Sequence, residues 1–238
     1  MRSIFPFERK QSTRCVFEYV YFARPDSRVF GGSVDRARRA LGRRLALEMP
    51  APSADLVFAV PDSSNSAALG FAEQSHLPYE LALIRNHYVG RTFIQPEQAG
   101  RDAKVKVKYN AVKEVLDGKR VVMVDDSIVR GTTTRGLVAM VRAAGAVEVH
   151  MRVSSPPVTG PCYYGIDTPN REDLIAANFS VDEIARHIGV DSLGYLSLEG
   201  MLNAVPDGPE GFCHACFSGE YPTAPPTDPD KLRFGCGC

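Results

Sequence analysis

Residues 121–134 read VVMVDDSIVRGTTT: two adjacent carboxylates, Asp125 and Asp126, close an apolar β-branched run, and hydroxyls, an arginine and a glycine follow at once. In an open α/β sheet, ligands bind beyond the C-terminal ends of the strands, where this pair would stand. The loop Ser127, Ile128, Val129, Arg130, Gly131, Thr132 and Thr133 can wrap a phosphate. Its backbone N–H groups and hydroxyls are donors, Gly131 permits close approach, and the helix that follows presents its positive end. Two carboxylates beside a phosphate would repel it unless ribose hydroxyls or Mg²⁺ intervene, since both are held by carboxylate oxygens. A ribose phosphate satisfies every part of the motif. Taken alone, Asp-Asp-Ser also fits an ordinary acidic helix N-terminus.

The surrounding pattern supplies the scaffold. RVVMVDD, a helix over about 133–144 that stops at Gly145, and EVHMRVSS form a βαβ unit. Upstream, Ser33 caps a helix with Val34, Ala37, Leu41 and Leu45 on one face and the arginines on the other; LVFAV at 56–60 reads as a buried strand, PDSSNS turns into an Ala-rich helix over about 66–74, and YELALI reads as a further strand. Residues 85–109 show little apolar periodicity and suit a long functional loop. Ser180 and Glu183 have capping-box spacing before a helix ending at Gly189, and a short helix is expected over 198–205. Alternating strands and helices with continuously apolar strands predict an α/β fold, a mainly parallel sheet with helices on both faces.

The 238 residues carry 28 basic and 28 acidic side chains and are 44% apolar, enough for one substantial core. No apolar run approaches the roughly 20 residues of a membrane span, and the first residues lack the apolar core of a secretory signal, so a cytoplasmic protein with no membrane partner is expected. Zero net charge argues against nucleic acid as a partner, and RARRALGRR reads as a solvated helix face. Six cysteines, Cys15, Cys162, Cys213, Cys216, Cys236 and Cys238, are many for a cytosolic chain. Cys213-His214-Ala215-Cys216 is a CxxC, which leaves redox, zinc and iron–sulfur chemistry open.

The whole 121–134 segment resembles the phosphoribosyl pyrophosphate (PRPP) signature of type I phosphoribosyltransferases, and its wording is similar to the amidophosphoribosyltransferases of purine biosynthesis. The resemblance runs in order through CVFEYVYFARPDS, PDSSNSAALGFAE, YVGRTFIQP, SSPPVTGPCYYGIDTP, IGVDSLGYLSLEGM and CHACFSGEYPT, covering 15–223. It implies a type I phosphoribosyltransferase fold with a small hood, an N-terminal extension at 1–14 and an irregular tail at 224–238. It implies that Asp125 and Asp126 hold the ribose hydroxyls and Mg²⁺, that residues 127–133 hold the 5′-phosphate, and that Asp62, Ser63 and Ser64 receive pyrophosphate, with Ser63 on the metal. Arg91, in the flexible loop, would reach the leaving group. Where the family often reads KNRYVGRTF, this chain has Arg85, Asn86 and His87, which changes the geometry of the cations before that loop.

One branch of that family carries a structural [4Fe–4S] cluster with ligands in contexts matching Cys15, Cys162, Cys213 and Cys216; a Cys₄ zinc site is the chemical alternative. Cys236 and Cys238 match nothing and read as free tail thiols. The implied reaction converts PRPP and ammonia to 5-phosphoribosylamine and pyrophosphate, with homo-oligomers the family habit. A glutaminase half with an N-terminal cysteine nucleophile precedes the transferase half in such enzymes, whereas only about 14 residues precede the match here. Free ammonia, a separate glutaminase subunit, or a split or truncated gene are the expectations. The rivals are a PRPP-binding regulatory module, a nucleobase phosphoribosyltransferase and a zinc-based interaction protein.

Overall fold

The structure is a computed structural model that describes residues 12–86, 108–166, 168 and 170–225. In chain order the elements are β1 (Arg14–Cys15), a π-helical turn (Glu18–Phe22), β2 (Arg28–Val29), β3 (Gly32–Ser33), α1 (Val34–Glu48), β4 (Leu56–Ala59), α2 (Asn65–Ser75), β5 (Leu83–Arg85) and β6 (Tyr109–Ala111). There follow α3 (Lys113–Leu116), β7 (Arg120–Asp125), α4 (Thr132–Ala143), β8 (Glu148–Val153), α5 (Ile175–Asn178), α6 (Val181–Ile188), β9 (Ser192–Tyr195), α7 (Leu198–Ala204), β10 (Phe212–Cys213) and α8 (Ala215–Ser218).

The centre is a four-stranded, all-parallel sheet in the order β4-β7-β8-β9. Its apolar side chains alternate between two cores. Val57, Ala59, Val122 and Val124 pack with α1, α2 and the chain-terminal segments, whereas Phe58, Val121, Met123 and Met151 pack with α4 and α6 on the other face. Burial on both faces explains why these strands read as continuous apolar runs. The expected α/β class with helices on both faces is the class observed. β1 and β10 pair in parallel, placing Cys15 opposite Cys213, and β2 and β3 form a separate antiparallel hairpin.

Local signals behave as read at most helix ends. Ser33 accepts from the Arg36 amide, Ser180 and Glu183 complete their capping box, and α6 stops at Gly189 with φ +80°. Two readings are corrected. YELALI is not one strand: only Tyr79 bridges β4, and Leu83–Arg85 leaves the sheet to pair antiparallel with β6. The backbone at 78–80 follows Val57 through two hydrogen bonds, then the chain turns away. The arginines of α1 are not all on its outer face either. Arg39, Arg43 and Arg44 pair with surface carboxylates, but Arg38 is only 2% exposed. Position 38 lies four residues after Val34 and three before Leu41, inside the apolar stripe. Among the described residues no helix is long and apolar enough to cross a membrane.

Candidate functional site

Asp125 ends β7 and Asp126 opens the following loop, both at the C-terminal edge of the parallel sheet. The loop after β4, which turns through a cis peptide between Pro61 and Asp62, faces them. Ser63 Oγ donates to Asp126 Oδ2 at 2.5 Å, Ser64 Oγ to Asp125 Oδ1 at 3.0 Å, and Ser127 Oγ to Asp126 Oδ1 at 2.7 Å. The structure therefore joins the acidic pair and the serines of the neighbouring loop, residues more than sixty positions apart in the chain.

Burial and the charge of Asp126 push the Asp125 carboxyl well above its ordinary range. Burial pushes Asp126 up too, opposed by hydrogen bonds from Ser63 and Ser127 and by the Arg38 charge. Among the described residues, the close donors to this pair are the three serine hydroxyls and the Asp126 backbone amide, which donates to Asp125 Oδ1 at 2.9 Å. Carboxylate and hydroxyl oxygens form an all-oxygen set suited to Mg²⁺, which takes one or two protein carboxylates and fills its remaining positions with water and phosphate oxygens. The donor set thus fits the expected ion.

Beyond the pair, the N–H groups of residues 127–131 make no hydrogen bond to another described residue. Ile128 is buried as an anchor, the Val129 carbonyl accepts from the Ile175 amide, and Arg130 lies 3.6 Å from Asp173. Gly131 adopts φ +75° immediately before α4, and a Cβ there would meet Ile175 Cδ1 at 2.8 Å. That backbone is open to glycine and strained for other residues. Thr132 and Thr133 expose the first turn of α4. The loop is thus a row of amides without partners among the described residues, backed by the 170–178 segment.

Asp62 pairs with Arg85 at 2.9 Å, and the Tyr109 hydroxyl donates to the Pro61 carbonyl at 3.3 Å. Arg91, with His87 and the rest of YVGRTFIQP, lies outside the described residues, as do Cys236 and Cys238. Two members of this site were invisible to motif reading: Tyr109, which follows a stretch without periodicity, and Arg38, whose signal was its place in the apolar stripe of α1.

The four remaining cysteines come from three segments. Cys15 and Cys213 are register partners on β1 and β10, Cys216 is the second residue of α8, and its carbonyl accepts from the amides of Thr159 and Gly160, just before Cys162. All four are free thiols and only partly exposed. Burial, then the nearness of Cys15, Cys162 and Cys213, pushes the Cys216 thiol up to about 12. Among the described residues, however, no group of three or more His, Cys, Asp or Glu side chains is arranged to hold a metal ion. His214 is bound instead to Ser218, its Nδ1 2.9 Å from the hydroxyl.

No family model matches the chain. It is 56% identical over 227 residues to the amidophosphoribosyltransferase of Synechococcus elongatus, covering 95% of this chain and 46% of that protein. It is 57% identical over 213 residues to the amidophosphoribosyltransferase of Bacillus subtilis, covering 88% and 44%. Among solved structures, the glutamine PRPP amidotransferase of B. subtilis complexed with ADP and GMP superposes with a TM-score of 0.84 at 55% identity, over 92% of this chain and 49% of that one. A structure described as the allosteric regulatory enzyme of purine biosynthesis matches equally well, over 48% of its chain. The chain therefore has the type I phosphoribosyltransferase fold and spans about half the length of the curated relatives it matches.

Proposed function

We propose that the chain is the phosphoribosyl-transfer part of an amidophosphoribosyltransferase, which replaces the pyrophosphate of PRPP by ammonia to give 5-phosphoribosylamine. The observation that carries this reading is the pair of half-buried Asp125 and buried Asp126, fringed by Ser63, Ser64 and Ser127 and set beside a row of loop amides with no partner among the described residues. The carboxylates accept from the ribose hydroxyls and fix the sugar. The amides of residues 127–131, with the hydroxyls of Ser127, Thr132 and Thr133, hold the 5′-phosphate. Asp62, Ser63 and Ser64 present the neighbouring loop to the diphosphate, and Arg91 is assigned to the leaving group.

Mg²⁺, held by Asp125, Asp126 and Ser63, supplies positive charge at the departing pyrophosphate when bound. Neutral ammonia is already a nucleophile, so the protein's work is orientation, stabilisation of leaving-group charge and exclusion of water. Pyrophosphate release from PRPP and Mg²⁺, measured with ammonium chloride and then with glutamine, tests the reading. Release with ammonium but not glutamine supports a transfer unit served by free ammonia or a separate glutaminase. A protein that binds PRPP and releases nothing with either nitrogen source is a sensor, and the transfer reading falls. We assign residues 15–223 to this unit, in the cytoplasm and as a homo-oligomer, which light scattering of the purified chain checks.

We assign Cys15, Cys162, Cys213 and Cys216 to a structural [4Fe–4S] cluster. Their convergence from β1, β10, α8 and the segment before Thr168 supports this assignment. A Cys₄ zinc site is the alternative, and its four sulfurs would lie about 3.8 Å apart at Zn–S distances of about 2.3 Å. A cubane cluster is larger and spaces its thiolates more widely. Iron and sulfide assays on anaerobically purified protein decide it: zinc, or no metal, removes the cluster.

A further inference from the structure

Arg38 lies in the seam between α1 and α2, 2% exposed. That seam is tight. A Cβ on Gly42 would stand 1.8 Å from the Ala67 carbonyl oxygen, and one on Gly70 would stand 2.0 Å from that of Arg39, so the two helices meet backbone to backbone. Into this seam the Arg38 guanidinium sends Nε to the Tyr19 carbonyl at 2.9 Å and Nη2 to the Ala23 carbonyl at 2.8 Å, while Nη1 lies 3.5 Å from the Ser63 carbonyl. Tyr19 and Ala23 belong to the π-helical turn that follows Cys15 and to its end. Ser63 carries the hydroxyl that reaches Asp126. One turn earlier, Asp35 accepts from Ser66 Oγ at 2.7 Å, so α1 grips the start of α2 at a second point. Burial lowers the guanidinium pKa, and the charges of Asp126 and Asp35 oppose that shift.

We infer that Arg38 is a positioning residue for the transfer reaction, whose planar fork ties the turn at 18–23 to the segment 62–66, which leads into α2, and so sets the order of Ser63 at Asp126. The kinetic consequence rests on the function proposed above; the tie itself rests on the hydrogen bonds alone. Guanidinium is a rigid fork with several donors, whereas lysine keeps the charge as a single point and cannot span three carbonyls. Arg38→Lys is therefore the diagnostic change, since it retains the buried cation.

Amide hydrogen exchange and steady-state kinetics on the full chain test the tie. In Arg38→Lys, exchange should rise about tenfold both at 18–23 and at 62–66 while 181–188 stays unchanged. With ammonium as nitrogen source, KM for PRPP should rise about tenfold with kcat falling less than threefold. Faster exchange at 18–23 alone, or uniformly across the chain, overturns the tie, as does an unchanged KM together with unchanged exchange at 62–66. A second measurement uses the unaltered protein. PRPP with Mg²⁺ should slow exchange at 62–66 and, through Arg38, at 18–23; protection confined to 62–66 overturns the inference even if the lysine variant does not fold. Absence of both pyrophosphate release and ligand protection in the unaltered protein would sink the proposed function instead, and exchange in the lysine variant would still decide the tie.

Discussion

Two buried charged groups stand one strand and one register position apart, and they are treated in opposite ways. Arg152 on β8, the register partner of Val124, is 6% exposed, and its guanidinium donates to the carbonyls of Met49, Pro50 and Met151 and to the Ser192 hydroxyl. Every acceptor is supplied by the fold, and the group caps the C-terminal end of α1. Burial lowers its pKa to about 10, far above neutrality, so the cation persists. Asp125 and Asp126 are two like charges pressed together, with three hydroxyls and one backbone amide for donors and the Arg38 charge acting on Asp126. A buried charge whose needs the protein itself meets is a structural part. A buried charge left short of a counterion is a place where something else must come.

That contrast can be broken by mutation, and the largest effect is expected at the acidic pair. Asp125→Asn combined with Asp126→Asn should lower PRPP turnover by roughly 10³-fold or more, and at pH 8 the ligand-free double variant should melt several degrees above the unaltered protein. A fall in both activity and melting temperature would make the carboxylates structural and erase the contrast. Arg152→Met should do the reverse, costing about 3 kcal/mol of stability by orphaning the carbonyls of the α1 end, while KM for PRPP, measured at a temperature where the variant is folded, stays within twofold.

The pH dependence is a weaker handle and separates the same two cases. The folded-state pKa values of the pair are raised, so their protonated form favours folding. Stability from this source is complete below the ordinary carboxylate range and is lost as pH rises through the raised values. Denaturant melts of the ligand-free protein should therefore weaken as pH rises above the ordinary carboxylate range, relative to the double-Asn variant, and saturating Mg²⁺ and PRPP should remove much of the difference. Asp55 supplies the smallest effect and the opposite sign. Its side-chain oxygens accept from the Arg120 guanidinium at 2.7 Å and from the Arg120 amide at 2.9 Å, and these bonds hold its pKa down to about 2. Its contribution is present above the usual carboxylate value and fades only as pH falls toward 2; an Asp55→Asn variant that loses stability at pH 7 but not at pH 2 confirms the sign.

What the sequence makes legible follows the range of the interactions. β7, α4 and β8 lie close together in the chain and announce themselves by period and punctuation, and the capping box at Ser180 is complete within four residues. The acidic pair was legible for the same reason. β9 was not read as a strand because SLGY is four residues with one glycine, and β5 and β6 were missed as a pair because each is three residues long and the partner lies across an aperiodic stretch. β1 and β10 are two residues each and carry no local signal at all. Arg38 was legible in principle, by its place in the stripe of α1, but the rule that arginine faces water overrode its spacing. The serine fringe around Asp126 needed the fold itself, since only the parallel β4–β7 pairing brings the two loops together.

The stitch between β1 and β10 also has a consequence in time. The same corner is held by Arg14 and Asp207, paired at 3.0 Å across 193 positions of chain. On the ribosome the first of these segments emerges long before its partner exists. Until the later segment is made, Phe17 lacks the ring of Phe217 and Tyr19 that of Phe212, while the β7–α4–β8 unit has its neighbours close by in the chain. The earlier segment is settled only when the later one arrives.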